Sequence, residues 1–167
     1  KVCGMRDADN ILAVSQLRAD FLGFIFYRLS PRFVGDQFVV PANIPTSARK
    51  VGVFVGESVD VILTKVKDHG LDYVQLHGGE TRVDCDRLKQ SGVGVIKVFS
   101  VDDETDFRET AQFADVADYF LFDTKGKLHG GNAKRFDWTV LTRYKESVPY
   151  FLSGGIGPEH LDEILKL

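Results

Sequence analysis

Six residues of this 167-residue sequence could take part in chemistry, because each follows or ends a short apolar segment. They offer a thiol, a guanidinium, an imidazole, a carboxylate and a pair of flexible backbones, and in chain order they are Cys3, Arg32, His77, Asp123, Gly154 and Gly155. A carboxyl group and a thiol can act as acid and base in one reaction when their surroundings keep one protonated and the other ionised. Each residue alone is weak support for a site, whereas their shared position at segment ends is stronger.

Each of these side chains also has a structural interpretation. Cys3 precedes a glycine and the start of a helix, a setting that favours a thiolate, whereas Cys85 lies on a helical pattern and is predicted to be a buried apolar residue. Asp123 could cap a turn, and His77 could be a hydrogen-bonded structural histidine. Arg32 follows a proline, which places it well for a bidentate contact with a carboxylate.

Two glycine-containing segments add to the functional interpretation. The backbone of Gly154-Gly155 can approach an anion closely, and at the end of a strand this pair predicts a phosphate site. The segment 124–135, with Gly126, Gly130 and Gly131, is long for a connection and predicts a lid or binding loop. The other histidines show no metal-like spacing and are predicted not to be ligands: His69, His129 and His160.

The elements that must position these residues alternate between strand and helix. Seven short apolar runs, several of them continuous in the manner of buried parallel strands, are separated by helical patterns. Val59, Ile62, Leu63 and Val66 form one helical stripe that Gly70 would end. Ile11, Val14 and Leu17 form a narrower stripe. Helix starts are predicted at Asp137 and at Gly157-Pro158.

The length of the repeat predicts the architecture. Each strand–helix unit takes roughly 25 residues, so eight units would need about 200, a length that suits a (β/α)8 barrel. The chain stops after the seventh strand, within the helix that follows. We therefore expect an α/β fold of the (β/α)8 TIM-barrel class, forming a single domain over residues 1–167 whose eighth β/α unit is absent. In such a barrel the six residues would meet at the C-terminal ends of the strands.

Composition excludes several classes of protein. The formal net charge is −3, from 24 acidic and 21 basic residues, and no basic stripe predicts binding to nucleic acid. No apolar run is long enough for a transmembrane helix, and two cysteines provide neither a disulfide framework nor a paired metal site. We expect a cytoplasmic domain whose partner is a small phosphorylated molecule, with no cofactor and no metal.

Short segments of the sequence closely resemble the phosphoribosylanthranilate isomerase family of tryptophan biosynthesis, and the resemblance runs from residue 1 to residue 167. In chain order these segments are Lys1-Val2-Cys3-Gly4, Gly23-Phe24-Ile25-Phe26, Ser30-Pro31-Arg32, Val51-Gly52-Val53-Phe54, Gln75-Leu76-His77-Gly78, Leu121-Phe122-Asp123-Thr124, Phe136-Asp137-Trp138 and Leu152-Ser153-Gly154-Gly155-Ile156.

The resemblance implies an aldose–ketose isomerase that rearranges N-(5-phosphoribosyl)anthranilate without a cofactor. Asp123 matches the family's general acid and Cys3 its general base. Arg32 matches the residue that holds the anthranilate carboxylate, His77 is expected to bind substrate, and Gly154 and Gly155 match part of the phosphate site. A monomer or a homodimer is expected.

Three alternatives remain open at this point. An indole-glycerol-phosphate synthase would use a lysine acid, for which Lys97 is suggestive, together with glutamates that the matching strand ends lack. A metal-dependent ribulose-phosphate epimerase would need His and Asp ligands on several strands, and only His77 and Asp123 are candidates. A non-catalytic phosphate-binding barrel would need neither Cys3 nor Asp123.

Overall fold

The structure is a computed structural model that describes residues 1–126 and 135–167. Its centre is a sheet of seven parallel strands, hydrogen-bonded in the order in which they occur in the chain. The strands are β1 (Val2–Cys3), β2 (Phe21–Ile25), β3 (Arg49–Phe54), β4 (Tyr73–Leu76), β5 (Gly94–Val101), β6 (Tyr119–Thr124) and β7 (Tyr150–Leu152). These are the seven apolar runs of the sequence, with ends that differ by at most two residues.

The sheet is curled rather than flat. Phe21 of β2 and Phe151 of β7 are five strands apart in the sheet, yet their ring centroids are 5.2 Å from each other. Side chains alternate between the two faces of a strand, so one face of the curled sheet points inward and the other points toward the helices. The inward face carries its own apolar cluster around Val51, Ile96 and Leu121.

Helices and 3-10 turns cover the outer face. The α-helices are α1 (Ala8–Ser15), α2 (Val59–His69), α3 (Arg82–Gln90) and α4 (Leu161–Ile164), and the 3-10 turns are Phe107–Phe113, Trp138–Arg143 and Pro158–His160. The outer faces of the strands contribute large rings such as Phe54 and Phe122 to the core, and the 3-10 turns contribute Trp138. This two-layer arrangement buries the main core outside the sheet.

The ends of the helices follow from side-chain and backbone caps. Gly70 ends α2 in the left-handed region at φ 57°, as its position after the apolar stripe predicted. Thr81 and Asp84 form a reciprocal capping box at the start of α3. Asp137 accepts a hydrogen bond from the backbone N–H of Thr139, so the predicted start is present, but the turn it opens is 3-10.

One predicted helical position is wrong. Leu17 was expected on the apolar stripe of the first helix, but α1 ends at Ser15 and Leu17 is 78% exposed. The chain turns there through Arg18, which adopts a positive φ of 56°, in order to enter β2. The stripe that α1 buries is therefore limited to Ile11 and its neighbours.

Candidate active site

A cavity of about 430 Å³ opens at the C-terminal ends of the strands, and all six residues that the sequence singled out line it: Cys3, Arg32, His77, Asp123, Gly154 and Gly155. Its volume lies within the range of small-molecule sites. The walls come from strands at both edges of the sheet and from its middle, since Cys3 ends β1, Leu152 ends β7 and Val53 belongs to β3. The curl of the sheet thus brings together residues that are far apart in the chain.

Asp123 lies inside the mouth of the barrel and is almost fully buried, with 4% of its surface exposed. Its Oδ1 accepts a hydrogen bond of 2.8 Å from the hydroxyl of Ser153, and its Oδ2 lies 3.5 Å from His77 Nε2. Burial alone raises the pKa of the carboxyl, but hydrogen bonds from His77 and Ser153 and the charge of His77 outweigh burial and leave the pKa below its usual value. A general acid needs a pKa high enough to keep its proton, whereas the two donors stabilise the charged form of this carboxyl.

A side-chain relay fixes the orientation of His77. Nε2 of Gln75 lies 3.4 Å from Nδ1 of His77. Nε2 of the same ring faces Oδ2 of Asp123, and an ionised carboxylate can only accept a hydrogen bond, so Nε2 is the ring nitrogen that carries a proton. The relay Gln75–His77–Asp123 therefore directs an N–H toward the carboxylate.

Cys3 is half-buried and sits against Gly23 of the neighbouring strand. A Cβ at Gly23 would come within 2.7 Å of the Cys3 sulfur, so only glycine leaves room for the thiol at this place in the wall. The expected helix start after Cys3 is more distant than the sequence suggested. The first helix, α1, begins at Ala8, and the carboxylate of Asp7 already caps it by accepting from the N–H of Asn10.

A positive group that contacts the end of β1 is the exposed side chain of Arg32. Its Nη1 donates to the carbonyl oxygen of Cys3 at 3.3 Å, and its backbone N–H donates to Ser30 Oγ at 3.2 Å. Gly4 makes this possible, because a Cβ there would lie 2.8 Å from Arg32 Cδ. The guanidinium therefore lies against the end of β1 at the rim of the cavity.

The glycine pair after β7 forms the opposite rim. Gly154 and Gly155 both adopt positive φ, at 95° and 64°. A Cβ on Gly154 would lie 2.3 Å from Oγ1 of Thr124, so the loop packs tightly on the end of β6. Both the backbone conformation and the close approach require glycine at position 154.

Other residues weighed in the sequence lie outside this cavity. Lys97 points to the outer face of β5 and lines a different cavity, of about 600 Å³. Cys85 is fully buried on α3, and burial raises the pKa of its thiol to about 11, which confirms its structural role. His69 stacks on Phe26 and Phe38, while His160 accepts a hydrogen bond from the N–H of Gly157.

The predicted lid, residues 124–135, lies mostly outside the described residues, because 127–134 are not among them. His129, Gly130 and Gly131 fall in that part. Within residues 1–126 and 135–167, no three His, Cys, Asp or Glu side chains are grouped so that they could hold a metal ion. No helix in the same part of the chain has the length and apolarity needed to cross a membrane.

Sequence reasoning missed three residues of the site as individuals: Gln75, Ser153 and Gly23. A period-two count could have found the first two, because Gln75 precedes His77 by two residues and Ser153 stands two residues after the inward-facing Phe151. Gly23 could not be found in this way, since the need for a glycine depends on the register in which Cys3 pairs with it.

Comparison with known proteins agrees with this geometry. A sequence model of the family described as N-(5'phosphoribosyl)anthranilate (PRA) isomerase matches residues 1–167. A protein of Phocaeicola vulgatus named N-(5'-phosphoribosyl)anthranilate isomerase is 45% identical over 166 residues, which cover 99% of this chain and 80% of that protein. A second, from Parabacteroides distasonis, is 44% identical and is covered over 76% of its length.

Solved structures give the same family. The crystal structure of phosphoribosyl anthranilate isomerase from Thermotoga maritima superposes with a TM-score of 0.79 at 28% identity, covering 99% of this chain and 80% of that one. Another, at 27% identity and a TM-score of 0.76, with 99% and 79% covered, is in complex with reduced 1-(o-carboxyphenylamino)-1-deoxyribulose 5-phosphate. These likenesses confirm the predicted (β/α)8-barrel class. The chain belongs to the N-(5'-phosphoribosyl)anthranilate isomerase family.

Proposed function

We propose that this chain catalyses the Amadori rearrangement of N-(5-phosphoribosyl)anthranilate to 1-(2-carboxyphenylamino)-1-deoxyribulose 5-phosphate in tryptophan biosynthesis, by acid–base catalysis in the cavity at the barrel mouth. Membership of the family supports the reaction, and a family member binds the reduced form of this product. The observation that carries the assignment of the site is that a thiol and a carboxyl, Cys3 and Asp123, line one cavity from strands β1 and β6.

The first step opens the ribose ring. Asp123 protonates the ring oxygen, the bond from that oxygen to C1 breaks, and the lone pair of the anthranilate nitrogen forms a C1=N double bond. The carboxyl must hold a proton for this, whereas its contacts with His77 and Ser153 favour the ionised form. In this proposal the proton reaches Asp123 before the ring opens, and the Nε2 of His77, 3.5 Å from Oδ2, is the neighbouring group that would exchange it.

The second step moves the double bond. The thiolate of Cys3 removes the proton from C2, and the electrons of that C–H bond form C1=C2 while the C=N electrons return to nitrogen. The resulting enolamine takes a proton at C1 and loses its hydroxyl proton, which gives the ketone. The guanidinium of Arg32, which donates to the carbonyl oxygen of Cys3, lies beside this base at the rim of the cavity.

The ends of the substrate would be held by the two rims. Arg32 presents a planar guanidinium at the rim, which suits the carboxylate of anthranilate. On the opposite rim the positive-φ backbones of Gly154 and Gly155 leave room for a phosphate to approach main-chain N–H groups. In this proposal the substrate spans the two rims, with C1 and C2 between Cys3 and Asp123.

The wider setting follows from the same proposal. We infer one catalytic domain over residues 1–167, a phosphorylated small molecule as partner, and no requirement for a cofactor. The acidic charge balance supports a small-molecule partner over nucleic acid or a membrane surface. We place the enzyme in the cytoplasm, where it would act as a monomer or a homodimer.

The test is turnover of N-(5-phosphoribosyl)anthranilate, followed by the loss of anthranilate-type fluorescence. We expect turnover by the wild type and a loss of about 10²- to 10⁴-fold in kcat for both Cys3→Ser and Asp123→Asn, the size usual for general acid–base groups. Matched controls are Cys85→Ala on α3 and Asp86→Asn on the exposed face of the same helix, which should keep wild-type kcat. A folded wild type that binds the substrate without converting it would contradict the proposal and favour the phosphate-binding barrel.

A further inference from the structure

A second pair of charged side chains lies just behind the candidate active site, buried against the outer face of the barrel. Nζ of Lys97 lies 3.0 Å from Oε2 of Glu80, and the two side chains are only 5% and 3% exposed. A buried ion pair rarely adds stability over apolar residues of the same size, because removing two charges from water is costly. The role of this pair is therefore more than stabilisation.

The carboxylate of Glu80 joins two loops at the mouth. Its Oε1 accepts from the N–H of Gly56, which follows β3, at 2.8 Å, and its Oε2 accepts from the N–H of Gly78, which follows β4, at 2.9 Å. Lys97 of β5 completes the cluster by donating to the carbonyl oxygen of Gly78 at 2.8 Å. The ends of β3 and β4 and the middle of β5 thus meet at one ion pair.

Gly78 is the residue directly after His77, so this cluster holds the segment that carries the imidazole. A Cβ at Gly78 would lie 2.7 Å from the nitrogen of Gly56 and 2.8 Å from Oε1 of Glu80, which shows how closely the two loops approach. On one side His77 faces the active-site cavity, and on the other side the same segment lines the cavity of about 600 Å³. Because cavities border this segment on both sides, its close contact with Gly56 and the hydrogen bonds of Glu80 and Lys97 are what hold it.

We propose that Glu80 and Lys97 are positioning residues for the isomerisation, which hold the β4 loop so that His77 Nε2 faces Asp123. The inference rests on the proposed function. Lys97 does not act on the substrate itself, because its ammonium is engaged with Gly78 and Glu80 outside the barrel. The pair acts through His77, and the distance that it sets is the 3.5 Å between Nε2 and Oδ2 of Asp123.

The test compares Glu80→Gln, Lys97→Met and the double variant with wild type, in kcat and KM for N-(5-phosphoribosyl)anthranilate. We expect kcat to fall about tenfold to a hundredfold, as for a misplacement of about 1 Å, while KM changes less than about twofold. The single variants leave one charge buried without its partner and could fail to fold. The double variant buries no charge, and Glu80→Asp keeps the charge on a shorter side chain, so both are expected to fold. Ile62→Ala on α2 is the control, a core variant that changes neither member of the ion pair.

A second measurement does not depend on turnover. Nitrogen-15 NMR of the histidine rings reports the tautomer, and in wild type we expect His77 to carry its proton on Nε2, with a mixture of tautomers in the double variant. Unchanged kcat and an unchanged His77 spectrum in the variants would overturn the proposal, as would an equal loss of kcat in Ile62→Ala. If wild type shows no turnover at all, the proposed function fails, whereas the NMR spectra still decide whether the pair positions His77.

Discussion

The C-terminal ends of the strands form the mouth of the barrel, and their N-terminal ends form what we call its floor. The two regions are built from the same strands but differ in chemistry. On the inward face of β4, Tyr73 at the floor is followed two residues later by Gln75 and then by His77 at the mouth. On β6 the same count passes from Tyr119 to Asp123. At the floor, four rings meet edge to face or tilted within 6 Å, from residues Phe21, Tyr73, Tyr119 and Phe151.

The difference shows how one fold separates stability from activity. At the floor, burial raises the pKa of Tyr73 and favours its neutral form. At the mouth, burial acts on Asp123 in the same direction, but donors from His77 and Ser153 reverse its effect. The buried carboxylate at the mouth is thus supplied with hydrogen-bond donors, whereas the ring cluster at the floor is held by apolar packing.

The largest effect expected outside the catalytic pair is a loss of stability at the floor. Phe21→Ala removes the ring that contacts Tyr73, Tyr119 and Phe151, and should lower the free energy of unfolding by about 3 kcal/mol. We expect kcat per folded molecule to stay as in wild type. Urea unfolding measures the loss of stability, and kcat measured at low temperature, where the variant is folded, measures the activity per folded molecule. A loss of kcat as large as that of Asp123→Asn would show that floor and mouth are not separate.

A smaller effect is expected at the rim. Gly154→Ala would put a Cβ against Thr124 in a backbone with φ 95°, so the phosphate loop must shift, and KM should rise about tenfold. Gly92→Ala is the matched control. Gly92 also has a positive φ, of 88°, but a Cβ there would meet open space, and the residue follows α3 rather than lining the cavity. Equal KM values for the two variants would contradict a role of this loop in holding phosphate.

The smallest effect concerns the pH dependence of stability in the wall behind the mouth. Burial alone would raise the pKa of Glu80. The charge of Lys97 and the hydrogen bonds from Gly56 and Lys97 lower the pKa by more than burial raises it, so the pKa in the folded protein lies below 4.5. The stability that Glu80 contributes is therefore complete above about pH 4.5 and is lost as the pH falls through the folded pKa. Thermal unfolding of wild type and Glu80→Gln should converge below pH 4.5, and a constant difference down to pH 3 would contradict this linkage.

The sequence predicted the strand order, the mouth and six residues of the site, because apolar runs and strand ends are local features. It did not predict what depends on contacts across the barrel. The low pKa of Asp123 needs Ser153, 30 residues away, and the pair of Glu80 and Lys97 needs the register of β4 against β5. The extent of α1 was missed because Leu17 fits the helical period, although the chain must turn at Arg18 to reach β2.

The central claim is that one substrate spans the mouth between Cys3 and Asp123. A crystal structure of this chain with reduced 1-(o-carboxyphenylamino)-1-deoxyribulose 5-phosphate tests it most directly. We expect C2 of the ligand about 3.5 Å from the sulfur of Cys3, the carboxylate on Arg32 and the phosphate on Gly154 and Gly155. A ligand bound in the cavity beside Lys97, or with C2 turned away from Cys3, would contradict the account.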